Sequence, residues 1–233
     1  MKWQSGPDGL SWSGTIINED AKREVAGQLA GELRDGDTVG VGSGSTSFLT
    51  LQALAARREK EGLSFVGIPT SLEVSWACAA LNIPTVSLME RRPDWCFDGA
   101  DEVDDRHRLI KGRGGALYRE KMLMAASPRT YIVVDHTKRV QRLGENYPVP
   151  VEVDPSALRL VYDEIMHIPG LQTATVRMGG GKDGPTITEH ANILLDLRFS
   201  EIQDDVHARL KAIPGVVETG LFIGYQIKLI MSR

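Results

Sequence analysis

The sequence predicts an α/β protein: a doubly wound, mostly parallel sheet, with a smaller α+β domain inserted near the C-terminus. Three observations point there. Short apolar runs alternate with amphipathic helical stretches over the first 135 residues, as βαβ units require. A glycine-rich turn, Val39-Gly40-Val41-Gly42-Ser43-Gly44-Ser45-Thr46, leads from the first such run into a helix, where doubly wound sheets bind their ligands. After Leu143 the alternation gives way to extended, turn-rich segments.

Asn18-Glu19-Asp20 ahead of AKREVAGQLAGEL reads as a capped helix, with Val25, Leu29 and Leu33 at fourfold spacing. Asp35-Gly36-Asp37 ends it, and Thr38 to Val41 reads as a short buried strand. Ser45 to about Lys60 is helical, with Phe48, Leu49, Leu51 and Leu54 inside. Leu63 to Ile68 reads as a strand, Ser71 to Leu81 as a helix, and Thr85 to Leu88 and Trp95 to Phe97 as strands. Ala116 to Ala126 is helical, and Tyr131 to Val134 is the clearest strand. Farther on, Tyr147 to Val153 is extended, Gly179 to Pro185 is a turn, and Asn192 to Phe199 is a strand. Asp205 to Ile213 is a helix, and Leu221 to Ile230 is strand again. The expected division is a loose extension over 1–17, a main Rossmann-like domain over 18–143 with 223–233, and a small α+β domain over 144–222.

Composition narrows the function. Hydrophobic content of 42% and charged content of 25% are ordinary for a soluble globular protein. A net charge of −4 supplies no basic field for nucleic acid. No apolar run approaches the roughly 20 residues of a membrane span. The N-terminus has neither a signal-peptide core nor an Arg-rich transit pattern, so a cytoplasmic location is expected. Cys78 and Cys96 lie in apolar surroundings and read as buried, reduced thiols. The five histidines are scattered without i,i+4 pairs, so no metal site is expected.

The glycine turn departs from both nucleotide signatures. A dinucleotide fingerprint needs its third glycine one position later than Gly44, and an acid at the end of the next strand, which ends Gly67-Ile68-Pro69-Thr70. No Gly-Lys-Ser/Thr follows, so the Walker pattern fails too. What remains is a loop of backbone N–H groups with the hydroxyls of Ser43, Ser45 and Thr46 at a helix N-terminus. Such a loop suits a compact anion such as a phosphomonoester.

A second unusual stretch runs DWCFDGADEVDDRHRLIKGRGGALYREKMLMAAS. Asp98 and Asp101 flank Gly99-Ala100 after a short apolar strand, where strand ends face the ligand crevice. Asp104 and Asp105 read as a solvated turn. Lys111-Gly112-Arg113-Gly114-Gly115 offers a cation and backbone amides that could stabilise an oxyanion. Glu120 has Ala116, Leu117, Leu123 and Met124 at helical spacing and is a candidate base. Arg119 and Lys121 interrupt that apolar setting, and periodicity equally allows an exposed Arg-Glu-Lys patch. Together the groups suit proton abstraction beside a carbonyl, a step that needs no cofactor.

VGVGSGSTS, GIPTS, FDGADEVD, LIKGRGGALYREKM, VDHTKRV, PVPVEV and IPGVVETGLF together resemble the type A ribose-5-phosphate isomerase family, in the family's order from about Glu19 to Phe222. The resemblance implies interconversion of D-ribose 5-phosphate and D-ribulose 5-phosphate through an enediol(ate), without cofactor or metal. It implies Glu120 as general base, with Asp98, Asp101 and Lys111 sharing ring opening, hydroxyl proton transfer and oxyanion stabilisation in an undivided way. Ser43, Gly44, Ser45 and Thr46, with Gly112, Gly114, Lys138 and Lys22, match substrate-binding positions. A homodimer or homotetramer is implied, with no nucleic-acid or membrane partner. Ser43 replaces a common threonine, Arg113 a common glycine, and Thr188-Glu189-His190-Ala191-Asn192 a Thr-Asp-Asn-Gly-Asn pattern. Two rival readings are a sugar-phosphate sensor, for which 1–17 is too short to supply a DNA-binding head, and an acyl transferase using Glu120 as a nucleophile.

Overall fold

The computed structural model describes residues 12, 15–181 and 183–232. The loose extension expected over 1–17 lies mostly outside them. The chain forms two compact units. The first runs to Gly99 and takes up Met122–Thr137 and the segment from Gln226. The second comprises Ala100–Lys121 and Lys138–Tyr225, different bounds from the 144–222 drawn from the sequence.

Along the chain, the first unit begins with α1 (Glu19–Ala30), β1 (Asp37–Val41), α2 (Gly44–Glu61), β2 (Phe65–Pro69), α3 (Leu72–Ala80) and β3 (Trp95–Asp98). The chain then enters the second unit through β4 (Glu102–Val103) and β5 (Leu109–Ile110). Helix α4 (Leu117–Ala126) starts in that unit and returns to the first, where β6 (Thr130–Val134) follows. The rest of the second unit is β7 (Val149–Val153), α5 (Leu158–Ile165), β8 (Leu171–Val176), β9 (Ile193–Phe199), α6 (Val206–Lys211), β10 (Val216–Thr219) and β11 (Leu221–Phe222). Strand β12 (Ile227–Met231) closes the first unit.

The first unit holds a parallel five-stranded sheet in the order β12-β6-β3-β1-β2. Every residue of β1, β3 and β6 is buried, as a parallel sheet covered on both faces requires. Leu29 and Leu33, Leu54, Trp95, Phe97 and Val133 fill its core. The strand order reverses at β1: the chain leaves it to β2 on one side and later returns to β3 on the other. Ligands of doubly wound sheets bind outside the carboxyl ends at such a reversal, here at Gly42 and Asp98.

The second unit has an antiparallel sheet, β10-β7-β9-β8, and a smaller one, β11-β5-β4. Val149, Val151 and Val153 pack with Leu195 and Leu197, Val161 and Ile165 of α5, and Val206 and Leu210 of α6.

Several local expectations are corrected. Asn18 does not cap α1; it is left-handed, and its side-chain amide donates to Asp135 Oδ1 at 3.2 Å. Thr85 to Leu88 is not a strand: Thr85 makes one bridge to Gly67. Glu90 then draws Ser87 into a turn by accepting its N–H at 2.7 Å. Leu221 to Ile230 is broken into β11 and β12 at Gly224, whose φ is +82°. Asp104 is buried and accepts from the Arg106 and Arg108 N–H groups and from Arg108 Nε at 2.7 Å; it organises the turn instead of being solvated by it. Asp105 is exposed and paired with the likewise exposed Arg139. Helix α5 and strand β8 were not predicted, although Asp154-Pro155 and the spacing of Val161 and Ile165 carried the signal for α5.

Candidate active site

In the first unit, the pairing of Val41 with Phe97 brings the ends of β1 and β3 side by side. Gly42 donates its N–H to Phe97 O at 2.9 Å. Asp98 ends β3 nearly buried, and its Oδ1 accepts from Gly99 N at 2.7 Å and Ser47 Oγ at 3.4 Å. Beyond Gly42 the chain turns at Ser43, in the N-cap position of α2, and Gly44 takes a φ of +86°. The first N–H groups of a helix have no partner within it and carry its positive end. Ser45 and Thr46 stand on that turn.

Lys22, on α1, is brought to the same loop. Its ammonium donates to Ser45 Oγ at 3.2 Å and lies 3.8 Å from Asp135 Oδ2. Asp135 follows β6 and was not singled out in the sequence. Burial works against its charge, but the Thr137 hydroxyl and N–H, the Asn18 amide and Lys22 outweigh that and hold its carboxyl below the usual aspartate value.

In the second unit, β5 delivers Lys111, and Gly112 (φ +100°) starts the tight turn into α4. Glu120 sits in the first turn of α4, with its N–H bonded to Ala116 O. Lys111 Nζ is 3.1 Å from Glu120 Oε2, and both side chains are almost wholly buried. The exposed-patch alternative therefore fails for Glu120 and for Lys121, each 5% exposed; only Arg119 faces outward, towards Glu189. Asp101 accepts the Arg113 N–H at 3.2 Å. Burial raises its carboxyl pKa, the Glu120 charge adds to that, and Lys111 and the Arg113 N–H oppose it. Lys138 ends a single 3-10 turn and lies over the Tyr147 ring at 5.2 Å, as Arg113 does at 5.3 Å.

The structure thus collects Asp101, Lys111, Gly112, Gly114, Glu120 and Lys138 in one unit, and Lys22, Asp98 and Ser43 to Thr46 in the other. Chemically, the first group is a buried carboxylate–ammonium pair beside a second carboxyl and a turn rich in N–H groups. Such a set can take a proton from carbon and stabilise the resulting oxyanion. The other is an anion-binding helix start with a lysine and a carboxylate. Among the described residues no three His, Cys, Asp or Glu side chains converge as metal ligands. None is a helix long and apolar enough to cross a membrane.

The family model described as Ribose 5-phosphate isomerase A (phosphoriboisomerase A) matches residues 66–233. The chain is 40% identical over 210 residues to a Methanocaldococcus jannaschii protein named ribose-5-phosphate isomerase A, covering 89% of this chain and 92% of that one. It is 42% identical over 206 residues to the protein of the same name from Thermosynechococcus vestitus, covering 87% and 86% respectively. The solved structure of the M. jannaschii ribose 5-phosphate isomerase A superposes with a TM-score of 0.88 at 38% identity, over 93% of this chain and 96% of that one.

Proposed function

The chain belongs to the ribose 5-phosphate isomerase A family, and we propose from this that it interconverts D-ribose 5-phosphate and D-ribulose 5-phosphate in the pentose phosphate pathway. The observation that carries the chemical reading is the buried Lys111–Glu120 pair at 3.1 Å. In the forward direction, Glu120 takes the proton from C2 of the open-chain aldose. Negative charge then grows on O1, where the Lys111 ammonium and the N–H groups of Gly112 and Gly114 meet it. Glu120 returns the proton to C1, one hydroxyl proton moves from O2 to O1, and the ketose results. A carboxyl raised by burial, as Asp101 is, suits the passing of hydroxyl protons. Asp98 shares that task and ring opening. Ser43, Gly44, Ser45, Thr46, Lys22 and Lys138 serve the substrate's phosphate and hydroxyls, so that binding energy remote from the reacting carbons orients them.

The same reading makes the protein a cytoplasmic homo-oligomer, dimer or tetramer. Leu72 and Trp76 on α3, 57% and 63% exposed and four residues apart on one helix face, form adjoining apolar surface of the kind a partner copy covers. Sedimentation equilibrium giving a monomer would sink that part alone.

The function is tested by following ribulose 5-phosphate formed from ribose 5-phosphate in chelator-treated buffer, with Glu120→Gln alongside. The parent is expected to turn over, and the folded, ligand-binding variant to lose on the order of 10²–10⁴ in kcat. A variant as active as the parent would remove Glu120 from the base role. A parent that binds the sugar phosphate without converting it would restore the sensor reading.

A further inference from the structure

Lys121 follows Glu120 on α4, yet its side chain takes a different course. Its ammonium is buried and spends all three donors inside the second unit: on Glu218 Oε1 at 2.9 Å, Thr219 O at 2.6 Å and Leu221 O at 2.8 Å. Between those two carbonyls, Gly220 presents its own carbonyl to the Lys111 N–H at 2.9 Å. The approach is close enough that a Cβ on Gly220 would stand 2.2 Å from Lys111 O. Gly220 N in turn donates to Pro150 O at 2.7 Å, fastening the segment to β7. Two residues beyond Gly220, the Phe222 ring lies beneath both ammonium groups, 4.6 Å from Lys121 Nζ and 5.5 Å from Lys111 Nζ.

The segment from Glu218 to Phe222 is therefore a template gripped by Lys121 and gripping Lys111. Adjacent helical residues are about 100° apart around the axis, so pinning Lys121 sets the direction in which Glu120 leaves the helix. We propose that Lys121 is a positioning residue: its buried ammonium, tied to Glu218 and the Thr219 and Leu221 carbonyls, holds Glu120 and Lys111 in register for proton transfer. The inference rests on the reading of Glu120 as the base.

The groups facing Lys121 are Glu218 on β10, Lys211 and His207 on α6, and Lys111 across Phe222. Glu218 also receives Lys211 at 3.4 Å, and His207 Nδ1 shares a hydrogen bond with Thr219 Oγ1 at 2.8 Å. Burial pushes the Lys121 ammonium down to about 8, with Glu218 resisting and Lys211 adding to the shift. Loss of that proton leaves two donors for three acceptors, so the tie loosens as the solution becomes alkaline.

The test measures kcat and KM for ribose 5-phosphate against pH for the parent, Lys121→Met, Glu218→Gln and Glu120→Gln, with circular dichroism and thermal unfolding of each. Lys121→Met is expected to lose about 100-fold in kcat, the cost of roughly 1 Å of misplacement, with KM changed by less than about twofold. The parent's kcat should fall on the alkaline side near pH 8, and Glu218→Gln should move that fall to lower pH by removing the anion that favours the ammonium. A folded Lys121→Met with the parent's kcat overturns the proposal. Should that variant fail to fold, Glu218→Gln decides, and an unmoved alkaline limb with unchanged kcat overturns it equally. An active Glu120→Gln overturns the base reading and this inference together; an inactive one beside a fully active Lys121→Met overturns this inference alone.

Discussion

Gly42 is a glycine for steric reasons before any ligand is considered. A Cβ there would stand 2.2 Å from Asp98 Cγ and 2.3 Å from its Oδ1, a distance the Asp98 backbone cannot relieve because Phe97 O already holds Gly42 N. Gly44, two residues on, is needed for its φ of +86°. The two glycines thus serve different ends: one admits the carboxylate and the other turns the chain into α2. Gly42→Ala is expected to lower unfolding free energy by about 1–3 kcal/mol, the usual cost of forced overpacking. Because Asp98 must move, kcat/KM for ribose 5-phosphate should fall at least about tenfold. Urea titration and steady-state kinetics on one preparation read both, and unchanged kinetics would detach Asp98 from the reaction.

At the scale of elements, β4 is two residues long but carries an anchor. The buried Glu102 carboxylate accepts from Gly144 N at 2.6 Å, Asn146 N at 2.6 Å and Tyr147 N at 2.8 Å. It thereby fixes the loop ahead of β7 and the Tyr147 ring on which Lys138 and Arg113 rest. A similar device secures the turn before α4: Arg177, paired with Asp196, donates to Arg113 O at 2.7 Å and Gly112 O at 3.2 Å. Replacing Glu102 by Gln keeps the shape but turns an amide NH2 donor towards at least one of these N–H donors and takes the charge from the bonds that remain. It is expected to cost about 2 kcal/mol and, with Lys138 in the binding role proposed for it, to raise KM severalfold while kcat changes less. If KM stays put, the Tyr147 loop has no part in substrate binding.

The whole molecule responds to pH through groups of opposite sign. Asp135 and Glu218 are held below their ordinary values, so their stabilisation is present above pH 3.8 and 4.5 respectively and is lost as pH falls through their folded values. Asp135→Asn should therefore flatten the acid side of a stability–pH curve measured by thermal unfolding; an unchanged acid slope would show that the Asp135 contacts do not persist in solution. Lys121, pushed down to about 8 from 10.5, acts in the same direction although its charge is opposite: over that window the unfolded chain binds more protons, so its contribution to stability rises with pH. Activity and stability should part company on the alkaline side. Cys78 and Cys96 are both buried in the first unit, and burial pushes the Cys78 thiol up to about 12. Neither should react with a thiol reagent until the fold opens. Labelling faster than unfolding would expose a local opening there.

The sequence by itself determined the parallel sheet, the glycine turn into α2, and the chain of motifs from Asp98 to Glu120, because each rests on residues within a few positions of one another. Alternation of strand and helix is a local pattern, and so is a run such as DGADE followed by KGRGG. The tertiary structure alone decided whether Glu120 was a buried partner of Lys111 or part of a wet patch, since residues nine apart in sequence meet only through a turn and a helix. It alone brought Asp98 against Gly42, Lys22 to Ser45, and Lys121 to Glu218, 97 residues away. It also cut the Thr85 to Leu88 strand to a single bridge at Thr85 and buried Asp104, where a nearby side chain or turn offered the backbone a better partner than periodicity implied. Such contacts leave no period in the chain, because the hydrogen bond or close approach that creates them depends on where distant segments come to lie.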